Sequence, residues 1–233
     1  MSKSCAVITG AGRGIGRATA VRLARAGYDV VAVARTAVEL AETQRQVEAA
    51  GAGCQAVTAD VTDGDAPDRI VACAVETFGR IDVLINNAAL CPLAPLDSIS
   101  DDDLDACLAL NIRAVVRLCR AAWPSLREAG GGVIINLSSY AAIDPFPGLD
   151  VYGGTKAFIN TFTRGLGRDG QPHNIRAYAV APGAVETAML RSAFPDFPAD
   201  QCLDPDDVAA QIELLLDQRN RFSTGGTVYV KKS

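Results

Sequence analysis

The residues best suited to chemistry are Tyr152 and Lys156, four apart at the start of a helical stretch. That spacing puts both side chains on one helix face. An ammonium beside a phenol stabilises the phenolate and lowers its pKa from the usual value near 10. Such a tyrosine can give a proton to a carbonyl oxygen or take one from an alcohol. A Y-x-x-x-K match is common by chance, so its weight depends on its surroundings.

Those surroundings begin near the N-terminus. The apolar run Cys5-Ala6-Val7-Ile8 leads into Thr9-Gly10-Ala11-Gly12-Arg13-Gly14-Ile15-Gly16. Glycines at 10, 14 and 16 spell G-x-x-x-G-x-G; in the commoner G-x-G-x-x-G the third glycine would fall on Ile15. Glycine here lets the backbone turn sharply and approach a pyrophosphate, and a following helix N-terminus favours the anion. Strand-to-helix turns also carry glycine for packing alone. After the second apolar run stands Ala34-Arg35-Thr36. A fold that selects NAD has an Asp or Glu there for the ribose 2′-hydroxyl. Arg35, joined by Arg13 from the glycine turn, can instead pair with a 2′-phosphate. Two solvated surface arginines are the alternative. The expectation is NADP(H) over NAD(H).

The elements that must position these residues alternate along the chain. Apolar runs at Cys5–Ile8, Val30–Ala34, Ala56–Ala59, Val83–Asn86, Val133–Leu137, Ile175–Ala181 and Thr227–Val230 read as strands. Between them lie helical patterns to about Ala26, then Ala37–Ala50, Asp65–Phe78, one long helix Asp103–Arg127, Val151–Gly165 and Asp206–Asp217. Continuous β-branched runs mean strands covered on both faces. Strands alternating with helices give a parallel sheet with right-handed crossovers. No repeat or linker divides the chain, so residues 1–233 read as one doubly wound α/β domain of seven, mostly parallel strands with helices on both faces. The least regular stretch, about 187–205, reads as a substrate lid or, alternatively, a packed surface loop.

Composition narrows the function. Lys and Arg number 22 against 27 Asp and Glu, a net charge of −5, which argues against a nucleic-acid binder. The single histidine, His173, argues against a His-based metal site or a Ser-His-Asp triad, and no metal is expected. Seven cysteines at 5, 54, 73, 91, 107, 119 and 202 lack C-x-x-C spacing and read as free thiols in a reducing cytoplasm. No signal-peptide pattern and no run of about 18 apolar residues is present, so a cytoplasmic chain without membrane association is expected.

Taken jointly, Thr9–Gly16, Asn86-Asn87-Ala88, Asn111, Ser139, Tyr152, Lys156 and Pro182-Gly183 resemble, in order and spacing, the short-chain dehydrogenases/reductases. The likeness runs from about Cys5 to Val230 and looks most like the NADPH-preferring ketoreductases, among them the acyl-carrier-protein β-ketoacyl reductases. The resemblance implies a Rossmann-type fold. It also implies that Tyr152 would protonate the carbonyl, while Lys156 would bind the nicotinamide ribose and depress the Tyr152 pKa. Ser139, thirteen residues before Tyr152 and preferred on that interval to Ser138, would orient the carbonyl. Asn111 would hold a water on the proton path and distort its helix. The cofactor would lie against Gly10, Arg13, Gly14, Ile15 and Gly16, with Arg35 at its 2′-phosphate. Asp60 and Val61 would meet adenine, Asn86 and Ala88 the ribose, and Pro182, Gly183, Val185 and Thr187 the nicotinamide.

Three positions depart from the family pattern. Ala89 replaces a glycine, Lys231-Lys232-Ser233 replaces the usual Asp-Gly-Gly, and the lid is short. That ending often packs near the substrate pocket or a subunit contact. Leu90, Cys91, Ala141, Ile143, Phe146, Leu149, Met189 and Leu190 are candidate pocket walls or, equally, core. Asp144 is a polar-contact or turn residue. No arginine cluster marks an acyl-carrier partner. By resemblance, the helices at 103–127 and 151–165 would build a homodimer or homotetramer. The expected activity is NADP(H)-dependent reduction of a ketone or aldehyde, or the reverse. The alternatives are a non-catalytic NADP(H)-binding sensor or scaffold, and a dehydratase or epimerase on the same fold.

Overall fold

The computed structural model describes residues 3–232. Seven strands, β1 (Cys5–Thr9), β2 (Asp29–Ala34), β3 (Cys54–Thr58), β4 (Val83–Asn86), β5 (Gly132–Leu137), β6 (Ile175–Pro182) and β7 (Thr227–Val230), form one sheet. Its order is β3-β2-β1-β4-β5-β6-β7. Every pairing between these strands is parallel, so the sheet is more uniform than expected. Parallel strands need crossovers, and helices supply them. They are α1 (Gly14–Arg25), α2 (Ala37–Ala49), α3 (Ala66–Phe78), α4 (Asp101–Leu108), α5 (Val115–Glu128), α6 (Asp150–Gly170), α7 (Ala188–Ala193) and α8 (Pro205–Leu216).

Side-chain alternation divides the core between the two faces. Ala6 and Ile8 of β1 pack with Leu23 of α1, Leu40 of α2 and Ile212 of α8. Cys5 and Val7 turn the other way, toward Ile70 of α3, Leu118 and Leu126 of α5, and Ile159 of α6. Full burial of each such side chain contributes about 1.5–3 kcal/mol, which is why the strand runs are apolar throughout rather than alternating.

Three elements differ from the sequence pattern. The long helix is not uniform: α4 passes through a wider turn of π type, Ala109–Ala114, before α5 resumes. Asn111 sits in that turn, its amide drawn out of the helix surface toward the backbone of Leu90. Helix α6 runs on to Gly170 because Ile159, Thr163 and Leu166 keep facing the core at helical spacing. The irregular 187–205 stretch contains α7, whose first turn Thr187 caps by accepting the Leu190 N–H at 3.3 Å. Six residues are too few for periodicity to reveal. Among the described residues no helix is long and apolar enough to cross a membrane.

Behind the site, a buried polar chain joins three elements. Asn86 Nδ2 at the end of β4 donates to Asn136 Oδ1 on β5 at 2.8 Å, and Asn136 Nδ2 donates to Thr163 Oγ1 on α6 at 2.9 Å. Asn136 is fully buried. Replacing Asn136 by Leu strands the two partners without water. It should cost about 2–3 kcal/mol, read as a lowered urea midpoint at unchanged m-value.

Candidate active site

Strand order reverses direction of travel between β1 and β4, and a crevice opens at their carboxyl ends, where α/β sheets bind ligands. Here it is a cavity of about 1410 Å³ running from the glycine turn to the end of β6. Thr9 fastens the two strand ends together. Its hydroxyl accepts the N–H groups of Asn87 at 3.0 Å and Ala88 at 3.1 Å. In return Asn87 Nδ2 donates to the carbonyls of Thr9 at 2.9 Å and Gly10 at 3.2 Å.

This fastening leaves no room for a side chain at Gly10 or Gly16. Gly10 has φ +64°, and a Cβ there would meet Asn87 Nδ2 at 2.7 Å. A Cβ on Gly16 would lie 2.2 Å from the Gly10 carbonyl oxygen. Gly10, Arg13, Gly14 and Ile15 line the cavity, whereas Gly16 serves by letting α1 start close beneath them. Arg17 braces the turn from below, donating to the carbonyls of Gly12 and Glu39 and to Thr43 Oγ1. Thr43 in turn donates to the Ala11 carbonyl at 2.8 Å.

At the outer end, Arg35 and Arg13 both line the cavity with largely exposed side chains. Each has one loose acidic neighbour: Asp60 lies 3.8 Å from Arg35, and Glu39 lies 3.4 Å from Arg13. Asp60 is oriented by accepting the N–H of Thr62 at 2.9 Å and its hydroxyl at 2.7 Å. Burial acts to raise the Asp60 carboxyl, but the Thr62 hydrogen bonds and Arg35 outweigh it and hold it below its ordinary value. Val61 and Ala88 line the cavity beside it. Asn86 does not. Its amide is turned into the core, toward Asn136 and Cys119, and the wall it was expected to form is made by Asn87 and Ala88.

At the inner end, Ser139, Tyr152 and Lys156 open onto the cavity together. The two adjacent serines separate by task. Ser138 is buried, and its hydroxyl donates to the Lys156 carbonyl at 3.1 Å, locking α6 to the end of β5. Ser139 Oγ accepts the Ala141 N–H at 3.1 Å, and its hydroxyl lies within hydrogen-bonding reach of Tyr152.

Tyr152 and Lys156 are both buried, and the ammonium lies 5.6 Å from the phenol ring centre. The electrostatics differ from expectation. Lys156 Nζ donates to the Leu137 carbonyl at 2.8 Å. Burial raises the Tyr152 phenol above its ordinary value, with Ser139 acting in the opposite direction, so the depression expected from Lys156 is not what this geometry yields. Burial also lowers Lys156 to about 8, since an ammonium away from water is costly.

Asn111 is buried and does not line the cavity. Its Oδ1 accepts the Leu90 N–H at 2.9 Å, while Nδ2 donates to the Leu90 carbonyl at 2.8 Å and to Thr155 Oγ1 at 3.1 Å. Thr155 Oγ1 donates to the Tyr152 carbonyl at 2.7 Å. The amide thus ties the loop after β4 to the first turn of α6.

Pro182, Gly183, Val185 and Thr187 line the inner wall, and Ala89 stands beside Ala88 on the facing loop. Of the proposed substrate walls, Leu90, Cys91, Ala141, Phe146, Leu149, Met189 and Leu190 line the cavity, as does Asp144. Ile143 does not; it is exposed outside. Phe146 meets Phe194 edge to face at 5.8 Å. Lys231 and Lys232 also reach the cavity, whereas Ser233 lies outside the described residues.

Thr9, Asn87, Arg17, Glu39 and Thr155 have no individual role in the sequence pattern. Glu39 had one legible signal, its place in the first turn of a helix following the second strand. The bonds of the others span 26 to 78 positions or depend on a turn's detailed path, and no local spacing encodes them.

Comparison with known proteins follows the same lines. The sequence profile of the family described as short chain dehydrogenase matches residues 4–197. A short-chain reductase protein, NovJ, of Streptomyces niveus is 35% identical, the match covering 98% of this chain and 92% of that protein. The crystal structure of 3-ketoacyl-(acyl-carrier-protein) reductase from Brucella melitensis, complexed with NADH, superposes with a TM-score of 0.90 at 30% identity, over 98% of this chain and 96% of that one. A blue fluorescent protein from a metagenomic library, in complex with NADPH, gives a TM-score of 0.90 at 29% identity, over 98% and 96%. With the sheet order, the glycine turn and the tyrosine–lysine helix already placed on one cavity, these matches lead to one conclusion: the chain belongs to the short-chain dehydrogenase family and is an oxidoreductase.

Proposed function

We propose that this protein interconverts a ketone or aldehyde and its alcohol with NADP(H), Tyr152 acting as general acid in reduction and general base in oxidation. The observation that carries the reading is the common opening of Ser139, Tyr152 and Lys156 onto a cavity whose other end is a glycine cradle. The cradle suits a dinucleotide: side chains are sterically excluded at Gly10 and Gly16, and α1 begins beside it. When bound there, the nicotinamide supplies the hydride.

The remaining work falls to the chain. Ser139, with its oxygen already accepting from Ala141, donates its proton to the carbonyl oxygen and orients it. Tyr152, protonated at neutral pH, supplies the proton that the carbonyl oxygen receives in reduction. Lys156 has three donors and spends one on Leu137, leaving two for the ribose hydroxyls. Asn111 fixes the first turn of α6 through Thr155 and acts as a positioning residue. Arg35 and Arg13 take the 2′-phosphate; their acidic neighbours are loose enough to exchange for a stronger anion. Residues 187–205, with α7, cover the substrate side. Exposed apolar side chains on α4 and α6, Leu108 and Phe158, support a homo-oligomer through those helices. 3-Oxoacyl compounds fall within the substrate class.

Three outcomes test this. Tyr152→Phe should bind NADPH as the parent does and lose carbonyl reduction by about 10²–10⁴-fold; sustained turnover would remove Tyr152 from the acid role. Arg35→Ala should weaken NADPH by about 10–100-fold in fluorescence titration while leaving NADH nearly unchanged. Equal weakening, or a parent preference for NADH, would transfer the ribose contact to Glu39 or Asp60. The third outcome concerns pH. A lysine lowered to about 8 is charged below that value and neutral above it. Nucleotide affinity should therefore fall as pH rises through about 8, and Lys156→Met should lack that fall.

A further inference from the structure

Two cations stand directly after β7, where the family pattern has Asp-Gly-Gly: Lys231 and Lys232. β7 pairs with β6 in the register Pro182↔Val230, and the Gly183 N–H donates to the Val230 carbonyl at 2.8 Å. That register carries Lys231 past the carboxyl edge of the sheet and against Gly183, whose added Cβ would meet the Lys231 Cβ at 3.3 Å. Both lysines line the cavity on its substrate side.

The way they are held leaves their charge unspent. Lys231 Nζ lies 3.3 Å from Tyr140 Oη and 4.8 Å from the ring centre. Tyr140 follows Ser139 directly and is braced edge-on by Tyr229 at 6.0 Å. Lys232 donates to the Asp200 carbonyl at 2.9 Å. Among the described residues neither ammonium has an acidic side chain within 4.0 Å, although Asp144 and Asp200 line the same cavity. Arg13 and Arg35, at the opposite end, each have an acidic neighbour. The cavity that holds Ser139 and the lysines is also lined by Tyr140, Phe146, Met189 and Phe194.

We propose that Lys231 and Lys232 form an anion site for the substrate, which is a carbonyl compound carrying a carboxylate or phosphate across an apolar spacer. The aromatic face of Tyr140 orients the Lys231 ammonium without neutralising it. One cavity then offers each part of such a substrate a place: Ser139 and Tyr152 for the carbonyl, apolar lining that includes Phe146 and Phe194 for the spacer, and the lysines for the anion. This rests on the carbonyl-reduction reading above.

The test uses linear methyl-ketone carboxylates of graded spacer length, each matched with its methyl ester and with the phosphate monoester of the corresponding oxo-alcohol. At one spacer length, one of the anions should exceed its ester by about tenfold or more in kcat/KM, carried by KM. The preference should fall as salt is raised, because exposed charges are screened. Lys231→Gln with Lys232→Gln should bring the ratio close to one, and the double Arg variant should keep it. Equal rates for anion and ester, or a ratio that survives the Gln variant, would overturn the site. If no ketone is turned over, carbonyl reduction itself fails; calorimetric binding of the carboxylate and phosphate against the ester, with NADPH present, then decides the anion site on its own.

Discussion

Burying the ammonium of Lys156 is the constraint from which the rest of the site follows. A charge taken out of water must be given hydrogen-bond partners or lose its proton. The chain gives it a carbonyl at the end of β5, that of Leu137, and pins the helix carrying it through Ser138. The same burial surrounds Tyr152, so the two groups respond in opposite senses. The phenol holds its proton more tightly, and the lysine more loosely. The opposite shifts of a phenol and an ammonium on one helix face are the outcome of one desolvated environment, not two separately arranged features.

That environment is maintained by contacts far apart in sequence. Asn111 leaves its own helix through a π turn and bonds the Leu90 backbone on one side and Thr155 on the other. Thr9 and Asn87 clasp β1 to β4 beneath the glycine turn. The chain from Asn86 through Asn136 to Thr163 ties β4, β5 and α6 together. These polar side chains are wholly or partly buried and each bonds across elements, so each one sets a register that apolar packing alone would let slide. Because all the strands are parallel, their carboxyl ends converge on one edge, and every loop that leaves this edge contributes to a single cavity.

Much of this was legible in the residue order. The apolar runs mark the strands well because burial on both faces removes the polar positions that would blur them. The glycine turn and the Tyr152–Lys156 pair were legible because steric exclusion and helical spacing are local properties. Where reading fell short, the cause was non-local. The π turn at Asn111 answers to Leu90, twenty-one positions away, and helical periodicity passes straight through it. Asn86 sits in a motif beside cavity-lining Ala88, yet its amide faces Asn136, because alternation along β4 turns it inward. Ile143 belongs to an apolar stretch but follows a short turn that leaves it outside. Helix α7 was hidden by its length.

The sequence by itself determined the fold class, the nucleotide-binding character of the first turn and the pairing of Tyr152 with Lys156 on one helix face, since each depends on neighbours within one or two turns of chain. Tertiary structure alone decided the environment of that tyrosine and the shape of the site around it. Whether Tyr152 is pushed up or down depends on how much water reaches it and where the Lys156 ammonium points. Whether Arg13, Arg35, Lys231 and Lys232 are spent or free depends on which carboxylates and carbonyls the folded chain brings within reach. Electrostatic energies follow distance and solvent exposure, and those are set only when the sheet has closed and its loops have met at one edge.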